Sequence, residues 1–354
     1  MKRVLIIFCL LFVGLANTQA IPALRKPRTV IQPDGSTLTL TLRGDEFGHW
    51  YTDEKGIIYA KKSNGWYVPC SMWEYQNMQQ RRLKAIQQRA SAADRRAASA
   101  GRRAGNVQTP PAYGGGTSRH PSGNQRVLVL LAEANDVKFS QSNPKEAFDK
   151  HLNGVNYKGS GYGSARDYFI DQSNGIFTPT FDIYGPYAGS HSMSYYGKND
   201  EDGNEKAGEL VAEVLRKANK DINYKDFDSD NDGVVDFCYV IYAGYSESES
   251  DNENDIWPHQ WDLGSSTGSA IRLDGVQINE YACGSELKGG SGKTVDGIGT
   301  ICHEFSHCLG LPDFYDTNEE RVNFGMSVWS VMDNGCYNEE GCTPCGYTAY
   351  EKEY

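Results

Sequence analysis

A His-Glu-x-x-His segment near the carboxyl end limits most narrowly what this chain can fold into. His303 and His307 are four residues apart, so a helix would place both imidazoles on one face, one turn apart. Two imidazoles in that arrangement can bind one zinc ion. Glu304 would lie beside the metal, where a general base can take a proton from a metal-bound water. The segment therefore predicts a helix that presents a zinc site.

The residues after this motif predict how a third ligand reaches the metal. Gly310 favours the left-handed conformation in which helices end, and Pro312 prevents the helix from resuming. Asp313 can then fold back, because a carboxylate oxygen is an accepted zinc ligand beside two histidines. Three protein ligands leave a fourth position open for water or substrate, which indicates a catalytic rather than a structural site. The alternative, a surface helix with two chance histidines, explains neither Gly310 nor Asp313.

A turn that carries Met332 follows the zinc motif, within Ser330–Gly335. A methionine at such a turn is usually a core residue. After an extended zinc motif, however, it is typical of proteases that place a soft apolar side chain beneath the metal.

An acidic loop upstream predicts a second cation site. Carboxylates occupy alternate positions, and Gly233 stands where a calcium loop needs its tight turn. Tyr239 replaces the bidentate glutamate, so the loop is not a complete calcium hand. We expect a structural calcium ion rather than a plain acidic turn. The stretch Glu247–Asp255 is also acidic and could hold another ion, but a solvated loop is expected there. The candidate calcium ligands are Asp228, Asp230, Asp232, Val234 and Asp236.

The first twenty residues have the three-part pattern of a secretory signal peptide. Lys2 and Arg3 precede the apolar run Val4–Leu15, and small residues lead to a cleavage site expected after Ala20. The run is shorter than the roughly 20 residues that a membrane-spanning helix needs. We therefore expect a protein that is secreted or exported to the cell surface, with no transmembrane segment.

Charge is unevenly distributed along the 354 residues, whose formal net charge is -11. Residues 81–123 hold nine basic residues and one acidic residue, whereas residues 124–354 hold 39 acidic and 17 basic residues. This acidic excess argues against nucleic-acid binding, which needs a basic face. The predicted divisions are a signal peptide (1–20), a β-rich amino-terminal pro-segment (21–80), a basic helix with a flexible linker (81–123) and a catalytic domain (124–354).

The basic linker contains three Arg-Arg pairs among small residues. Exposed loops of small residues are cut first by proteases, so an activating trypsin-like protease is a candidate partner. A solvated linker without such a role is an equal alternative. A pro-segment can also silence a zinc site by supplying a fourth ligand, for which Cys70 and Asp45 are candidates.

Strands and helices alternate after residue 124, which predicts an α/β or α+β fold. Gln125–Ala134 and Phe237–Ala243 are continuous apolar runs typical of strands buried on both faces. Val276–Cys283 alternates like an edge strand. Because extended peptides can add to a free sheet edge, we expect the substrate to pair there, with contacts to Val276, Ile278 and Tyr281.

The zinc motif with its aspartate, the methionine turn and the acidic loop before a buried strand together resemble the immune inhibitor A-like metalloproteases of the metzincin clan. The likeness covers roughly residues 125–354. Shorter stretches that carry it include Arg166-Asp167-Tyr168-Phe169, Ser173-Asn174-Gly175, Tyr195-Tyr196-Gly197 and Ile256-Trp257-Pro258-His259.

This resemblance implies a metzincin-like catalytic domain with a twisted sheet and an active-site helix. It also implies a secreted zinc endopeptidase that acts on proteins or peptides and is made as a zymogen. By the resemblance, His303, His307 and Asp313 are the ligands, Glu304 is the general base and Met332 forms the Met turn.

Two departures from the family pattern lie near the end of the chain. Some metzincins place a tyrosine two residues after the Met-turn methionine, where this chain has Asn334, which leaves Tyr337 as a candidate oxyanion stabiliser. The chain also stops at Tyr354 inside a predicted helix, where such a domain is expected to continue.

Two other functions stay open from the sequence. One is a catalytically silent, calcium-dependent binding or adhesion protein, against which the intact Glu304 argues. The other is a zinc hydrolase that cleaves a different amide bond, which only the family resemblance disfavours.

Overall fold

The computed structural model describes residues 21–45, 47–82, 84, 121–159, 161, 163–199, 205–315 and 325–353. The predicted signal peptide and most of the basic linker, with its Arg-Arg pairs at 95–96 and 102–103, lie outside the described residues. In the part of the chain that is described, no helix is both long and apolar enough to cross a membrane.

The amino-terminal unit, residues 21–82, contains the β-structure that the sequence predicts. Leu40 and Leu42 alternate with exposed or half-buried threonines, and both leucines are buried. A helix (α1, 72–82) follows, and Arg82 Nε donates to Asp45 Oδ1 at 3.0 Å. Five strands pair in sequence order as an antiparallel sheet: β1 (Arg28–Ile31), β2 (Thr37–Asp45), β3 (Gly48–Thr52), β4 (Ile58–Lys61) and β5 (Tyr67–Pro69).

The carboxyl-terminal unit, residues 121–353, is built on a twisted, mixed five-stranded sheet of order β7-β6-β8-β12-β9. Four strands are parallel and only β9 runs antiparallel. The elements in chain order are β6 (Arg126–Glu133), α2 (Pro144–Asn153), α3 (Ala165–Gln172), β7 (Thr180–Ala188), α4 (Met193–Gly197), α5 (Ala207–Ala218), β8 (Cys238–Tyr245), α6 (Glu247–Ser250), β9 (His259–Asp262), α7 (Leu263–Thr267), β10 (Ile271–Leu273), β11 (Val276–Ile278), β12 (Glu280–Leu287), α8 (Ile298–Cys308) and α9 (Ala349–Glu353).

Helices cover both faces of this sheet, so the central strands are apolar throughout, as the continuous apolar runs predict. In β6, Val127, Val129 and Leu131 belong to the core under α2, α3 and α8. Leu128 and Leu130 belong to the core under α5 on the opposite face. The motif helix α8 is thereby held against one side of a rigid sheet.

The prediction that Val276–Cys283 forms one edge strand is wrong. Val276 and Ile278 lie in β11, which pairs with β10 in a two-stranded ribbon. Tyr281 lies in β12, which is hydrogen-bonded to β8 on one side and to β9 on the other. The other edge of β11 is occupied too, because Gln277 exchanges backbone hydrogen bonds with Gly233 and Val235. All three side chains are buried, so this stretch offers a substrate neither a free edge nor exposed side chains. Alternation of apolar and polar residues indicates a half-buried strand, whereas the position of a strand at the edge of a sheet depends on long-range pairing.

Candidate active site

The motif helix α8 is buried along its whole length and ends as its sequence predicts. Gly310 has φ 101°, a conformation that glycine adopts without steric cost. The Leu311 amide donates to the Ser306 carbonyl at 3.1 Å and the Gly310 amide to the His307 carbonyl at 2.9 Å. These two bonds form a Schellman cap, which turns the chain back toward the helix.

Close backbone contacts fix the position of α8. Gly299 packs directly on the segment that follows the methionine turn, where a Cβ would lie 1.9 Å from the Cys336 carbonyl oxygen. On the sheet side, the ring of Phe305 meets those of Phe169 and Phe237 at centroid distances of 5.1 and 5.2 Å. The histidines are therefore carried on an element that has little freedom to shift.

The helix and the returning chain bring three donor atoms together. His303 Nε2 and His307 Nε2 are 3.1 Å apart, and Asp313 Oδ1 lies 3.2 and 3.4 Å from them. In a tetrahedral zinc site with bonds of about 2.0–2.1 Å, ligand atoms are separated by about 3.3 Å. The donor set and its spacing fit a zinc ion.

Main-chain carbonyls orient both imidazoles. Nδ1 of His303 lies 2.7 Å from the Val331 carbonyl and Nδ1 of His307 lies 2.7 Å from the Leu311 carbonyl. Each Nδ1 then carries the proton, which leaves the Nε2 lone pair for a metal. Burial lowers the pKa of His307, which favours the neutral ring that ligation needs. At His303 burial is outweighed by the hydrogen bond with Asp313, which raises the pKa.

The methionine turn supplies one of these supports. Met332 follows Val331, is fully buried, and belongs to the same core cluster as Phe305. Its amide donates to Ser330 Oγ at 3.0 Å, and its carbonyl accepts from Phe314 at 2.8 Å. The turn thus holds the chain on both sides of the site.

Glu304 lies beside the histidines, with one carboxylate oxygen within 4.8 Å of their ring nitrogens. Its Oε1 accepts a hydrogen bond from the backbone nitrogen of Ile21 at 2.8 Å. Trp257 Nε1 donates to the Ile21 carbonyl at 2.8 Å, and the Tyr337 hydroxyl donates to the Pro22 carbonyl at 2.8 Å. A peptide segment from the amino-terminal unit therefore lies over the site.

This covering segment, Ile21–Leu24, is a feature that sequence reasoning missed. Its side chains are apolar, and no pattern in them signals a functional role. Neither of the two candidate fourth ligands is at the site. The carboxylate of Asp45 pairs with Arg82, and the Cys70 amide donates to the Ile58 carbonyl within the amino-terminal sheet.

The predicted calcium loop brings its first three carboxylates together. Asp228, Asp230 and Asp232 each offer an oxygen within 4.8 Å of the others. Asp236 Oδ2 instead accepts from the Ser229 amide at 2.8 Å, and Val234 bridges to Gln277 through its backbone. Burial and the neighbouring like charges raise the pKa of Asp232, as expected of carboxylates gathered in one loop.

The expectation of a solvated loop at Glu247–Asp255 is wrong at its start. Glu247 and Glu249 lie in α6 and are only 1% and 5% exposed. Burial raises the pKa of both carboxyls, that of Glu249 to about 8. The amino-terminal unit contacts α6 at Glu247, through His49 Nε2 at 3.5 Å, and at the Ser248 carbonyl, which accepts from the Leu24 amide at 3.1 Å. A local sequence pattern cannot indicate contacts between such distant segments.

The carboxyl-terminal unit matches a known protein family. The catalytic domain of immune inhibitor A peptidase M6 matches residues 128–354. Pre-pro-metalloprotease PrtV of Vibrio cholerae serotype O1 (strain M66-2) is 27% identical over 232 residues, which cover 58% of this chain and 25% of that protein. Immune inhibitor A of Bacillus thuringiensis subsp. alesti is 26% identical over 296 residues, covering 71% of this chain and 42% of that protein. The chain thus spans less than half the length of these relatives. With its buried His-Glu-x-x-His helix, it belongs to the immune inhibitor A family of metalloproteases, peptidase M6.

Proposed function

We propose that this chain is a secreted, zinc-dependent endopeptidase that hydrolyses peptide bonds in proteins and is made as a latent precursor. The observation that carries this proposal is the convergence of His303, His307 and Asp313, with Glu304 buried beside them. The family match supports a protease, and the predicted signal peptide supports export.

His303, His307 and Asp313 would hold the zinc ion. When bound there, zinc would polarise the scissile carbonyl and lower the pKa of an attacking water. Glu304 takes the proton from that water and returns it to the leaving amine nitrogen. Its Oε1 already accepts an N–H at 2.8 Å, so a nitrogen of a peptide can reach it. The Val331 and Leu311 carbonyls hold the Nδ1 side of each imidazole, so that Nε2 of both rings is turned toward the metal position.

Tyr337 is the best-supported group for binding the substrate carbonyl. Its hydroxyl donates to the Pro22 carbonyl at 2.8 Å, two peptide units along the chain from the Ile21 nitrogen that meets Glu304. Burial raises its pKa well above the usual value, so the phenol stays neutral and can donate. A neutral donor aimed at a carbonyl oxygen also stabilises the charge that develops on it.

Latency follows from the covering segment. Ile21–Leu24 occupies the region where a substrate has to lie, and Ile21 is fully buried there. Signal cleavage after Ala20 would turn the Ile21 nitrogen into an ammonium group next to the Glu304 carboxylate, which strengthens the contact. A cut in the basic linker by a trypsin-like protease would then allow the amino-terminal unit to leave.

We assign a structural calcium ion to the loop of Asp228, Asp230 and Asp232, whose oxygens gather closely enough for one cation. Hard oxygen ligands in this alternation suit calcium. The ion would hold the loop that precedes β8, away from the reaction itself.

Glu304→Gln tests the proposed chemistry in the activated, zinc-loaded protein. The variant should bind zinc as the wild type does and cleave denatured casein about 10²- to 10⁴-fold more slowly, the range expected for loss of a general base. Chelation should abolish wild-type cleavage, and added zinc should restore it. Normal cleavage by the variant would refute the role of Glu304. Zinc binding without any wild-type proteolysis would favour the binding protein or the other amide hydrolase.

A further inference from the structure

Strand β3 of the amino-terminal unit covers an acidic and aromatic pocket in the carboxyl-terminal unit. The imidazole of His49 stacks on the indole of Trp257, with ring centroids 5.7 Å apart and an interplanar angle of 22°. His49 Nε2 lies 3.5 Å from Glu247 Oε1. Trp257 and Glu247 are 0% and 1% exposed. The packing of β3 against the carboxyl-terminal unit therefore excludes water from this pocket.

The pocket adjoins the candidate catalytic centre. The edge of the Trp257 indole donates to the Ile21 carbonyl at 2.8 Å, while the nitrogen of the same residue meets Glu304. One residue of extended chain therefore separates the pocket wall from the general base. A substrate peptide lying where Ile21–Leu24 lies would pass directly beside it.

Glu247 is incompletely satisfied by its present neighbours. In the described part of the chain, Glu247 Oε2 is buried without a hydrogen-bond partner. Burial lowers the pKa of His49 to about 4, so the imidazole is neutral near pH 7 and brings no charge to the carboxylate. A buried carboxylate without a cationic partner is costly, which makes His49 a weak occupant.

The charges around the pocket favour a cation at the position that His49 occupies. The other acids that act on Glu247 are Asp251, Glu253 and Asp255, and the opposing base is Lys61, which belongs to the amino-terminal unit. Removal of that unit therefore removes both His49 and Lys61 and leaves Glu247 beside these three acids. The chain that follows the covering segment in the precursor is itself basic. The charge of Arg25 opposes the rise that burial causes in the pKa of Asp333, and Lys26 Nζ lies 4.0 Å from Glu340 Oε1.

We propose that Glu247 and Trp257 form a specificity pocket for an arginine or lysine side chain of the substrate, which His49 fills in the precursor. A guanidinium or ammonium group can pair with the Glu247 carboxylate and lie over the Trp257 face at the same time. This inference rests on the proposed function, because it assigns the substrate class of that site.

The test uses the full chain, activated by immobilised trypsin that is then removed and inhibited. Glu304→Gln protein treated identically measures any cleavage by residual trypsin. Cleavage sites in denatured casein are identified by mass spectrometry, and arginine or lysine should be enriched at one fixed position from the scissile bond. A matched pair of quenched peptides then carries arginine or its neutral isostere citrulline at that position. The citrulline peptide should be cleaved with a kcat/KM about 30-fold lower, as expected when a buried charge pair loses one partner.

Glu247→Gln should remove this difference between the two peptides, with most of the loss on the arginine peptide. Glu146→Gln makes the same charge change at an exposed position of α2, outside the pocket, and should leave the difference intact. Because the peptide pair is compared on wild-type enzyme, the inference stays falsifiable if Glu247→Gln does not fold.

Casein cleavage without basic enrichment would overturn this inference and leave the proposed function standing. So would a citrulline effect that survives in Glu247→Gln. A Glu247→Gln protein that keeps the basic preference but loses stabilisation by added calcium would show that the pocket holds a metal cation instead. No wild-type cleavage at all would refute the proposed function and this inference with it.

Discussion

Substitution of Ile21, the apolar residue that anchors the covering segment, tests directly whether this segment keeps the precursor inactive. Ile21 is fully buried in the core cluster that also contains Phe305 of the motif helix. Ile21→Ala removes buried carbon atoms and leaves the hydrogen bonds to Glu304 and Trp257 intact, because those bonds use the main chain. The variant therefore weakens docking of the segment without removing its polar contacts.

The size of the effect follows from the packing. Truncation of a buried isoleucine to alanine costs about 2–5 kcal/mol. We take the lower limit of about 2 kcal/mol, because a surface segment can shift more easily than a core. Since about 1.4 kcal/mol is a factor of ten, the open fraction of the precursor, and with it its basal activity, should rise about 30-fold.

The assay compares intact, zinc-loaded precursors on denatured casein before any linker cleavage. Ile31→Ala is the matched control, because Ile31 lies in β1 of the same unit and is 71% exposed; its activity should stay at the wild-type level. After activation the two variants and the wild type should be equally active, since residue 21 departs with the amino-terminal unit. An Ile21→Ala precursor no more active than Ile31→Ala would refute the argument that this segment imposes latency.

Three further predictions concern the site and its surroundings. Tyr337→Phe should lower kcat of the activated enzyme by about 10²-fold with a smaller change in KM, as for loss of one oxyanion donor; an unchanged kcat would remove Tyr337 from the mechanism. Asp230→Asn should reduce the rise in melting temperature that calcium produces, while the exposed control Glu253→Gln should not; equal responses would argue against calcium in the loop. Burial raises the pKa of Glu249 from its usual value to about 8, so the folded precursor holds this proton more tightly than the unfolded chain. The stability that this carboxyl contributes is thus fully present below about pH 4.5 and is lost as the pH rises toward 8. Glu249→Gln should flatten that decline in thermal unfolding, and an identical pH profile would contradict this account.

The motif helix could be predicted because its information is local. The spacing of His303 and His307 sets one helix face, and Gly310 sets the helix end within a few residues. The central strands could be predicted equally well from the sequence, since a strand covered on both faces has to be apolar throughout. The same local rules could not predict which strand lies at the edge, and Tyr281 turned out to be internal.

The sequence by itself determined which groups meet at the candidate site: two imidazoles, the neighbouring Glu304 carboxylate and a turn that returns Asp313 to them. Only the tertiary structure decided which distant segments pack against those groups. Ile21 is 283 positions from Glu304, and Glu247 is buried by a strand nearly two hundred residues earlier in the chain. Such contacts depend on how two separately patterned units pack together. Local propensity and residue spacing do not determine that packing, because burial and charge pairing between distant segments arise only in the folded chain.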